Sequence, residues 1–198
     1  LEQGELGRIA ETPKPGDAIF NNTGHTLVGS NTISVNAMLQ AAQKLGYETE
    51  LYSAHLCGEA REEAEKLTTH AKALTVNQPI ALLAGGETTV TLKGAGRGGR
   101  NQEMALAFAI AAEQQGLTGN WAFLSGGTDG RDGPTDAAGG IVDRDTIKRM
   151  TQAGVNPTGL LENNDSYTAL KASGDLVNTG ATGTNVADLQ ILLIQPAP

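Results

Sequence analysis

Short apolar runs alternate with helix-like segments along most of this chain, and this alternation limits the folds it can adopt. Residues 80–84 and 121–124 are apolar almost throughout, as in strands buried on both faces of a sheet. In the segments between such runs, apolar residues recur every three or four positions, the period of an amphipathic helix. The pattern predicts an α/β fold, a layered α/β/α domain with a sheet between helices.

The same two periods predict the individual elements. Strands are expected at 26–29, 49–52, 80–84, 88–93, 121–124, 176–177 and 189–194. Helices are expected at 33–45, 59–72, 101–114, 145–153 and 166–173. The close spacing of 80–84 and 88–93 favours an antiparallel pair, so we expect a mixed sheet.

Turn residues divide the chain into segments. Residues 1–20 begin without Met and run into Thr-Pro-Lys-Pro-Gly at 12–16, which indicates the end of a preceding helix and a Pro-rich linker. A start inside an element predicts a piece of a longer protein. Residues 21–78 form a βαβα connecting segment and 79–198 a second unit in this interpretation. The alternative is that 21–198 form one compact unit.

Charge and cysteine content exclude several function classes. The 198 residues carry a net charge of −8, which argues against a nucleic acid or an anionic membrane as partner, because both require a basic surface. The single cysteine, Cys57, allows no internal disulfide and fits a reducing, cytoplasmic location. No apolar stretch is long enough to span a membrane, and no signal peptide is visible.

Three glycine-rich loops, at 85–89, 94–103 and 125–136, hold most of the residues that could carry chemistry. Each follows a predicted strand. Loops that follow strands in an α/β sheet gather at one edge and form the ligand crevice. We therefore expect the three loops to converge.

The middle loop matches G-x-G-x-x-G over 94–99 and places Arg97 and Arg100 at a predicted helix start. Free backbone N–H groups, the helix dipole and two guanidinium groups would favour a phosphate or carboxylate there. A dinucleotide site also requires an acidic residue about 20 positions further on, whereas Asp129 comes later and within another loop. The Walker and G-x-S-x-G patterns are absent. The alternative is a glycine-rich turn with solvated arginines.

The third loop places Asp129, Asp132 and Asp136 within eight residues. Magnesium usually takes one or two carboxylates together with substrate phosphates, so this cluster is a candidate metal site. The alternative is that these aspartates only stabilise turns. Two further polar segments, 163–167 and 178–185, fit either a helix cap and a turn or a substrate pocket.

Five ordered motifs resemble the signature of the MOFRL family. They are residues 85–91, 96–103, 128–139, 164–167 and 179–186. Upstream segments 11–17, 28–31 and 58–62 are similar to the same family, so the resemblance covers essentially the whole chain. It identifies 79–198 as a MOFRL-like domain. That domain forms the C-terminal part of the glycerate 2-kinases once named hydroxypyruvate reductases from tartrate-utilisation operons.

The resemblance implies ATP-dependent phosphorylation of D-glycerate at the 2-hydroxyl, with Mg²⁺, in a cleft shared with an N-terminal Rossmann-like domain outside this chain. The chain alone is therefore expected to be inactive, and a homodimer is left open. The expected roles are catalysis by Arg97, Arg100 and Asp129, metal binding by Asp129 and Asp132, and substrate binding by Glu87, Thr88, Asn101 and Asn164. Two alternatives are an NAD(P)-dependent hydroxypyruvate reductase and a non-catalytic ligand-binding module.

Overall fold

A six-stranded mixed sheet lies at the centre of the structure, a computed structural model that describes residues 2–10 and 12–196. The strands are β1 (Glu48–Leu56), β2 (Ile80–Gly86), β3 (Asn120–Gly127), β4 (Gly139–Asp143), β5 (Leu176–Val177) and β6 (Asp188–Gln195). Their order across the sheet is β1-β2-β6-β3-β4-β5. β1 and β2 are parallel, and the other neighbours are antiparallel. The predicted α/β class with a mixed sheet is confirmed.

Helices cover the two faces of the sheet unequally. They are α1 (Glu2–Glu5), α2 (Asn31–Lys44), α3 (Ala60–Ala73), α4 (Arg100–Gln115), α5 (Thr146–Gln152), α6 (Pro157–Glu162) and α7 (Ser166–Ser173), with a 3₁₀ turn at Ala18–Phe20. The larger core lies on the face covered by α3, α4, α5 and α7. On the opposite face α2 packs over β1, β2 and β6. Among the described helices, none has the length and apolar character that a membrane crossing requires.

Helix α4 is the central element of the larger core. Every residue from 101 to 112 is buried, because alanines on this helix allow close contact with the sheet and with α3. Phe108 stacks on Phe123 at 4.3 Å between ring centroids and meets the edge of Trp121 at 5.3 Å. The helix ends at Gly116 in the left-handed conformation that glycine favours. The buried start of α4 consequently lies in a fixed position beside the sheet.

Two predicted strands were wrong. Residues 26–29 form no strand, and Leu27 and Val28 are 73% and 93% exposed. Residues 88–93 are extended but join no ladder beyond one isolated bridge between Thr89 and Glu59. Within that bridge Thr89 N–H donates to Gly58 O, and further along Lys93 N–H donates to a side chain, Asn164 Oδ1. The mixed character of the sheet comes from β6, which lies between β2 and β3.

The sheet continues across the expected boundary between 78 and 79, because β1 pairs with β2. This pairing favours the alternative in which 21–198 form one unit, and the division of the chain stays a prediction. In the first segment, residues 2–5 are helical. Leu1, Glu11, Ala197 and Pro198 lie outside the described residues.

One edge of the sheet gathers the ends of several strands. β1, β2 and β3 finish there at Leu56, Gly86 and Gly127, and β6 begins there at Asp188. Asp188 is in register with Gly86 on one side and Gly127 on the other. We call this side the carboxyl edge, and it is where an α/β sheet ordinarily binds its ligand.

Candidate functional site

The three glycine-rich loops meet at the carboxyl edge. Arg100 Nη1 lies 3.1 Å from Glu87 Oε1, which joins the first loop to the second. Asn101 N–H donates to Asp132 Oδ1 at 3.1 Å, which joins the second loop to the third. The expected convergence is confirmed, although the middle loop follows an extended segment rather than a strand. Hydrogen bonds to the third loop and to residues 163–165 hold it in place.

Arg100 is held by a buried carboxylate. Its Nε donates to Asp188 Oδ2 at 2.6 Å and its Nη2 to Asp188 Oδ1 at 3.0 Å. The hydrogen bonds to Asp188 raise the pKa of Arg100 above its ordinary value, against the opposing effect of burial. The Arg100 side chain is still 34% exposed, and Glu87 beside it is 60% exposed. A fixed cation therefore faces solvent at the carboxyl edge.

Arg97 is the second cation of the middle loop. It is exposed, its guanidinium carbon lies 5.0 Å from the centre of the Tyr167 ring, and its Nη2 donates to Pro134 O. Tyr167 in turn donates its hydroxyl hydrogen to Asp136 Oδ1 at 2.9 Å. Stacking on an aromatic face restricts an arginine without using most of its N–H donors. Arg97 can therefore still bind an anion.

Asp132 caps helix α4 from another loop. Its Oδ1 accepts from the Asn101 backbone N–H, and its Oδ2 accepts from the Gln102 backbone N–H and side-chain amide. The amides expected to be free for a phosphate are thus occupied. Burial raises the pKa of Asp132, and these hydrogen bonds only partly offset the effect. With 2% exposure and both oxygens engaged, Asp132 is poorly placed to bind metal.

Asn101 and Asn164 are buried and bond to protein groups. Asn101 Oδ1 accepts from Ser125 Oγ at 2.6 Å, and its Nδ2 donates to Asp132. Asn164 Oδ1 accepts from the Lys93 and Gly94 N–H groups, and its Nδ2 donates to Glu103. Asn164 adopts a left-handed backbone conformation, φ 55°, that Asn tolerates better than most residues. Both amides shape the loops around the site.

Asp129 lies on a groove of about 500 Å³ at the third loop. The groove is lined by Asp129, Arg131, Thr135, Asp136 and the 180–181 segment. Asp129 is half-buried, and its Oδ1 accepts from the Arg131 N–H. Within the described part of the chain, no three His, Cys, Asp or Glu side chains lie close enough to hold a metal alone. One or two carboxylates in such a groove nevertheless fit Mg²⁺ when substrate phosphates complete its coordination.

The last of the predicted substrate-binding residues is Thr88, which directly follows Glu87 in the first loop and is 3% exposed. A hollow of about 760 Å³ is bordered by Tyr52, Lys66 and His70. It contains none of the expected site residues.

Sequence reasoning missed Asp188 and Asn31. Asp188 is fully buried, yet in the sequence it is a single acid before an apolar strand. Asn31 Nδ2 donates at 2.8 Å to the carbonyl oxygens of Val186 and Asp188, so the start of α2 anchors the start of β6. The N-cap of α2 is its neighbour Ser30, whose side chain accepts from the Ile33 N–H. The position of Asp188 and Asn31 at the carboxyl edge becomes evident only from the order of the strands, in which β6 lies between β2 and β3.

A model of the MOFRL family matches residues 80–188, more than half of the chain and the part that contains all three glycine-rich loops. The chain belongs to the MOFRL family. This MOFRL chain is 45% identical over 191 residues to the D-glycerate 2-kinase of Thermotoga maritima, covering 94% of the chain and 44% of that protein. It is 43% identical to a protein of Agrobacterium vitis provisionally named hydroxypyruvate reductase, covering 93% of the chain and 42% of that protein.

The fold of this MOFRL chain is shared with a solved relative. The crystal structure of a glycerate kinase from Thermotoga maritima aligns with a TM-score of 0.82 at 45% identity, covering 88% of the chain and 42% of that structure. The chain thus spans less than half the length of these relatives, and it matches their C-terminal half.

Proposed function

We propose that this chain forms the C-terminal half of an ATP-dependent glycerate kinase that phosphorylates D-glycerate at the 2-hydroxyl. The observation that carries the proposal is Arg100, a cation fixed at the carboxyl edge with N–H donors to spare. Phosphoryl transfer depends on positioning and charge neutralisation, with little covalent chemistry for the protein to perform. The names of the relatives support glycerate as the acceptor.

The two arginines supply the positive charge in this proposal. Arg100 binds the glycerate carboxylate or the transferring phosphoryl group, because its guanidinium can donate two parallel hydrogen bonds to either. Arg97, three residues earlier in the middle loop, supplies a second positive charge. Glu87, next to Arg100, orients a substrate hydroxyl group. Thr88, Asn101 and Asn164 keep the loops in shape around the pocket.

Asp129 is the residue that would hold Mg²⁺, together with the phosphates of ATP. When bound there, the metal would neutralise part of the charge on those phosphates. Asp132 is not included, since its oxygens already accept the α4 amides. In this proposal the carboxylate of Asp129 also orients the acceptor hydroxyl.

The capped start of α4 argues against the reductase alternative. A dinucleotide fold binds pyrophosphate with free amides at a helix start that directly follows a strand. Here the segment before α4 joins no ladder, and Asp132 occupies the amides. The reductase alternative is still worth testing because the Agrobacterium vitis relative carries the name hydroxypyruvate reductase.

The site at the carboxyl edge is open to solvent and needs a second wall. Efficient phosphoryl transfer requires nucleotide, metal and acceptor to be held together in a site that excludes water. We propose that an N-terminal Rossmann-like domain supplies this wall, and that the isolated 198-residue chain is inactive. A homodimer, a cytoplasmic location and a role in tartrate utilisation remain predictions.

The decisive assay is coupled ADP release by the native gene product with D-glycerate and ATP. We expect turnover that requires D-glycerate and Mg²⁺, with 2-phosphoglycerate identified by ³¹P NMR. Oxidation of NADH with hydroxypyruvate, without ADP release, would establish the reductase instead. Binding of glycerate without either reaction would support the non-catalytic module.

A further inference from the structure

Asp188 is a buried carboxylate at the centre of the carboxyl edge. It has 0% exposure and begins β6, directly between Gly86 of β2 and Gly127 of β3. Asn31 fixes its backbone through the carbonyl oxygen. A charge removed from water in this way requires a compensating partner with good hydrogen-bond geometry. That partner is Arg100.

The two residues meet in a defined orientation. Both oxygens of Asp188 accept from Arg100, one from Nε and one from Nη2. A guanidinium group carries five N–H donors. Two of them face Asp188, so the two on Nη1 and one on Nη2 remain. Nη1 points towards the exposed Glu87 carboxylate, 3.1 Å away, which shows that this end reaches an anionic group at the surface.

A second arginine shows what a purely structural pair looks like in the same chain. Arg149 binds Asp143 through Nη1, and through Nη2 it binds the buried Asp175 and Thr146. Its Nε donates to Ser173 O. Arg149 thus makes five hydrogen bonds to protein groups, enough to use all its N–H donors. Among the described residues, Arg100 makes polar contacts only with Asp188 and the exposed Glu87, which leaves N–H donors on Nη1 and Nη2 free. The difference indicates that the Asp188 pair does more than neutralise a charge.

We propose that Asp188 is a positioning residue: by holding the Nε side of Arg100, it directs the Nη1–Nη2 end towards the anionic group of the substrate. The inference rests on the proposed kinase function. An arginine fixed before the substrate arrives binds its anion in one orientation and loses less conformational entropy on binding. Asp188 itself touches no substrate, because Arg100 lies between it and the cleft.

The first test measures kcat, KM for D-glycerate and Tm in the native gene product. Asp188→Asn keeps the side-chain shape but gives Arg100 an uncharged partner with one acceptor oxygen. We expect kcat/KM to fall about 10- to 100-fold, as when partners that orient metal ligands are removed. The matched control is Asp175→Asn, which breaks a comparable pair away from the carboxyl edge and should lower Tm while kcat/KM per folded molecule stays unchanged.

Chemical rescue, measured as kcat/KM per folded molecule, supplies a readout that a stability role would not affect. Guanidinium ion, at concentrations far below denaturing ones, should restore activity to Arg100→Ala, because Asp188 still offers its two oxygens. Methylammonium, which has no planar fork, should restore less. Rescue should be lost in the double variant Arg100→Ala/Asp188→Asn, in which the binding position for the ion is gone.

The outcomes separate this inference from the proposed function. Glycerate-dependent ADP release by the wild type tests the function alone, and the ratios between variants test the role of Asp188. An Asp188→Asn variant that loses only Tm, like Asp175→Asn, would overturn the positioning role. Equal rescue by guanidinium and methylammonium, or equal rescue with and without Asp188, would overturn it as well.

Discussion

Three aspartates at the carboxyl edge differ in the groups that their carboxylates meet. Asp188 faces a guanidinium, Asp132 faces backbone amides, and Asp129 borders an open groove. The residue type is the same, so the role of each follows from its neighbours. Burial determines which of them can reach a ligand: Asp129 remains available, whereas the other two fix parts of the protein.

At the residue scale, removing Asp132 should destabilise the chain. Asp132→Ala leaves two backbone amides and the Gln102 side chain without their buried acceptor, and we expect a loss of about 2–4 kcal/mol in the free energy of unfolding. Urea unfolding of the chain measures it. The control is Asp145→Ala, which precedes α5 without capping it by a side-chain bond. Equal stability of the two variants would show that Asp132 is not a cap.

The contact between Tyr167 and Asp136 gives a pH-dependent prediction. The hydroxyl bond from Tyr167 is the main cause that lowers the pKa of Asp136 below its ordinary value of 3.8. A lowered pKa stabilises the fold above that ordinary value, and the contribution is lost as the pH falls through the folded-state pKa. Tyr167→Phe should therefore shift the pKa of Asp136 upwards in a ¹³C NMR titration. Tyr47→Phe should not, and an unshifted Asp136 in Tyr167→Phe would contradict the contact.

At the element scale, the start of α4 joins the loops because Gly99 allows close contact. A Cβ atom at position 99 would lie 2.3 Å from Asp132 Cγ, and hydrogen bonds hold that carboxylate in place. We expect Gly99→Ala to lower the free energy of unfolding by about 1–3 kcal/mol, the usual cost of overpacking. Gly24→Ala is the control, because nothing lies within 4 Å of its Cβ position. Equal urea midpoints for both variants would refute the close contact.

The elements also show how far the sequence predicts the fold. The apolar runs predicted β2, β3 and β6 because β2 is buried on both faces, and β3 and β6 are buried on one face and half-buried on the other. Segment 88–93 has the pattern of a strand, but its backbone bonds to α3 and to Asn164, which only tertiary structure reveals. β4 was missed because it begins with Gly139 and Gly140, which resemble a turn. A Cβ atom at Gly139 would collide with Ser125 O, so close strand pairing requires glycine there.

The sequence likewise predicts only part of the candidate site. Arg97, Arg100, Glu87 and Asp129 could be selected from sequence because charged residues in glycine-rich loops indicate ligand binding. Asp132, Asn101 and Asn164 look similar in sequence, yet they are buried and bond to protein groups. Asp188 has no local signal, since its burial depends on the order of strands.

At the scale of the whole molecule, apolar side chains remain exposed before α2. They include Ile19, Phe20, Leu27 and Val28. The chain also spans less than half of its relatives. We therefore expect the isolated chain to unfold cooperatively, since it has its own core, but to release no glycerate-dependent ADP. Calorimetry and the coupled assay test the two statements. Robust turnover by the isolated chain would refute a site shared between two halves.

The most direct measurement is kcat/KM for D-glycerate in an Arg100→Lys variant of the native gene product. Arg100→Ala would leave Asp188 buried without a partner and would destabilise the fold. A loss of activity in that variant could therefore not be separated from a loss of structure. Lysine keeps the charge pair but cannot donate to Asp188 and to a substrate anion in the same fixed orientation. Arg144→Lys, which alters an exposed arginine bonded to Asn120, is the matched control.

We predict that Arg100→Lys lowers kcat/KM on the order of 100-fold or more, less than the 10³–10⁵ that complete loss of a transition-state arginine costs. Its Tm should stay close to that of Arg144→Lys, which should keep full activity. Wild-type kcat/KM in Arg100→Lys would contradict the account, because the fixed guanidinium at the carboxyl edge would then have no part in the reaction.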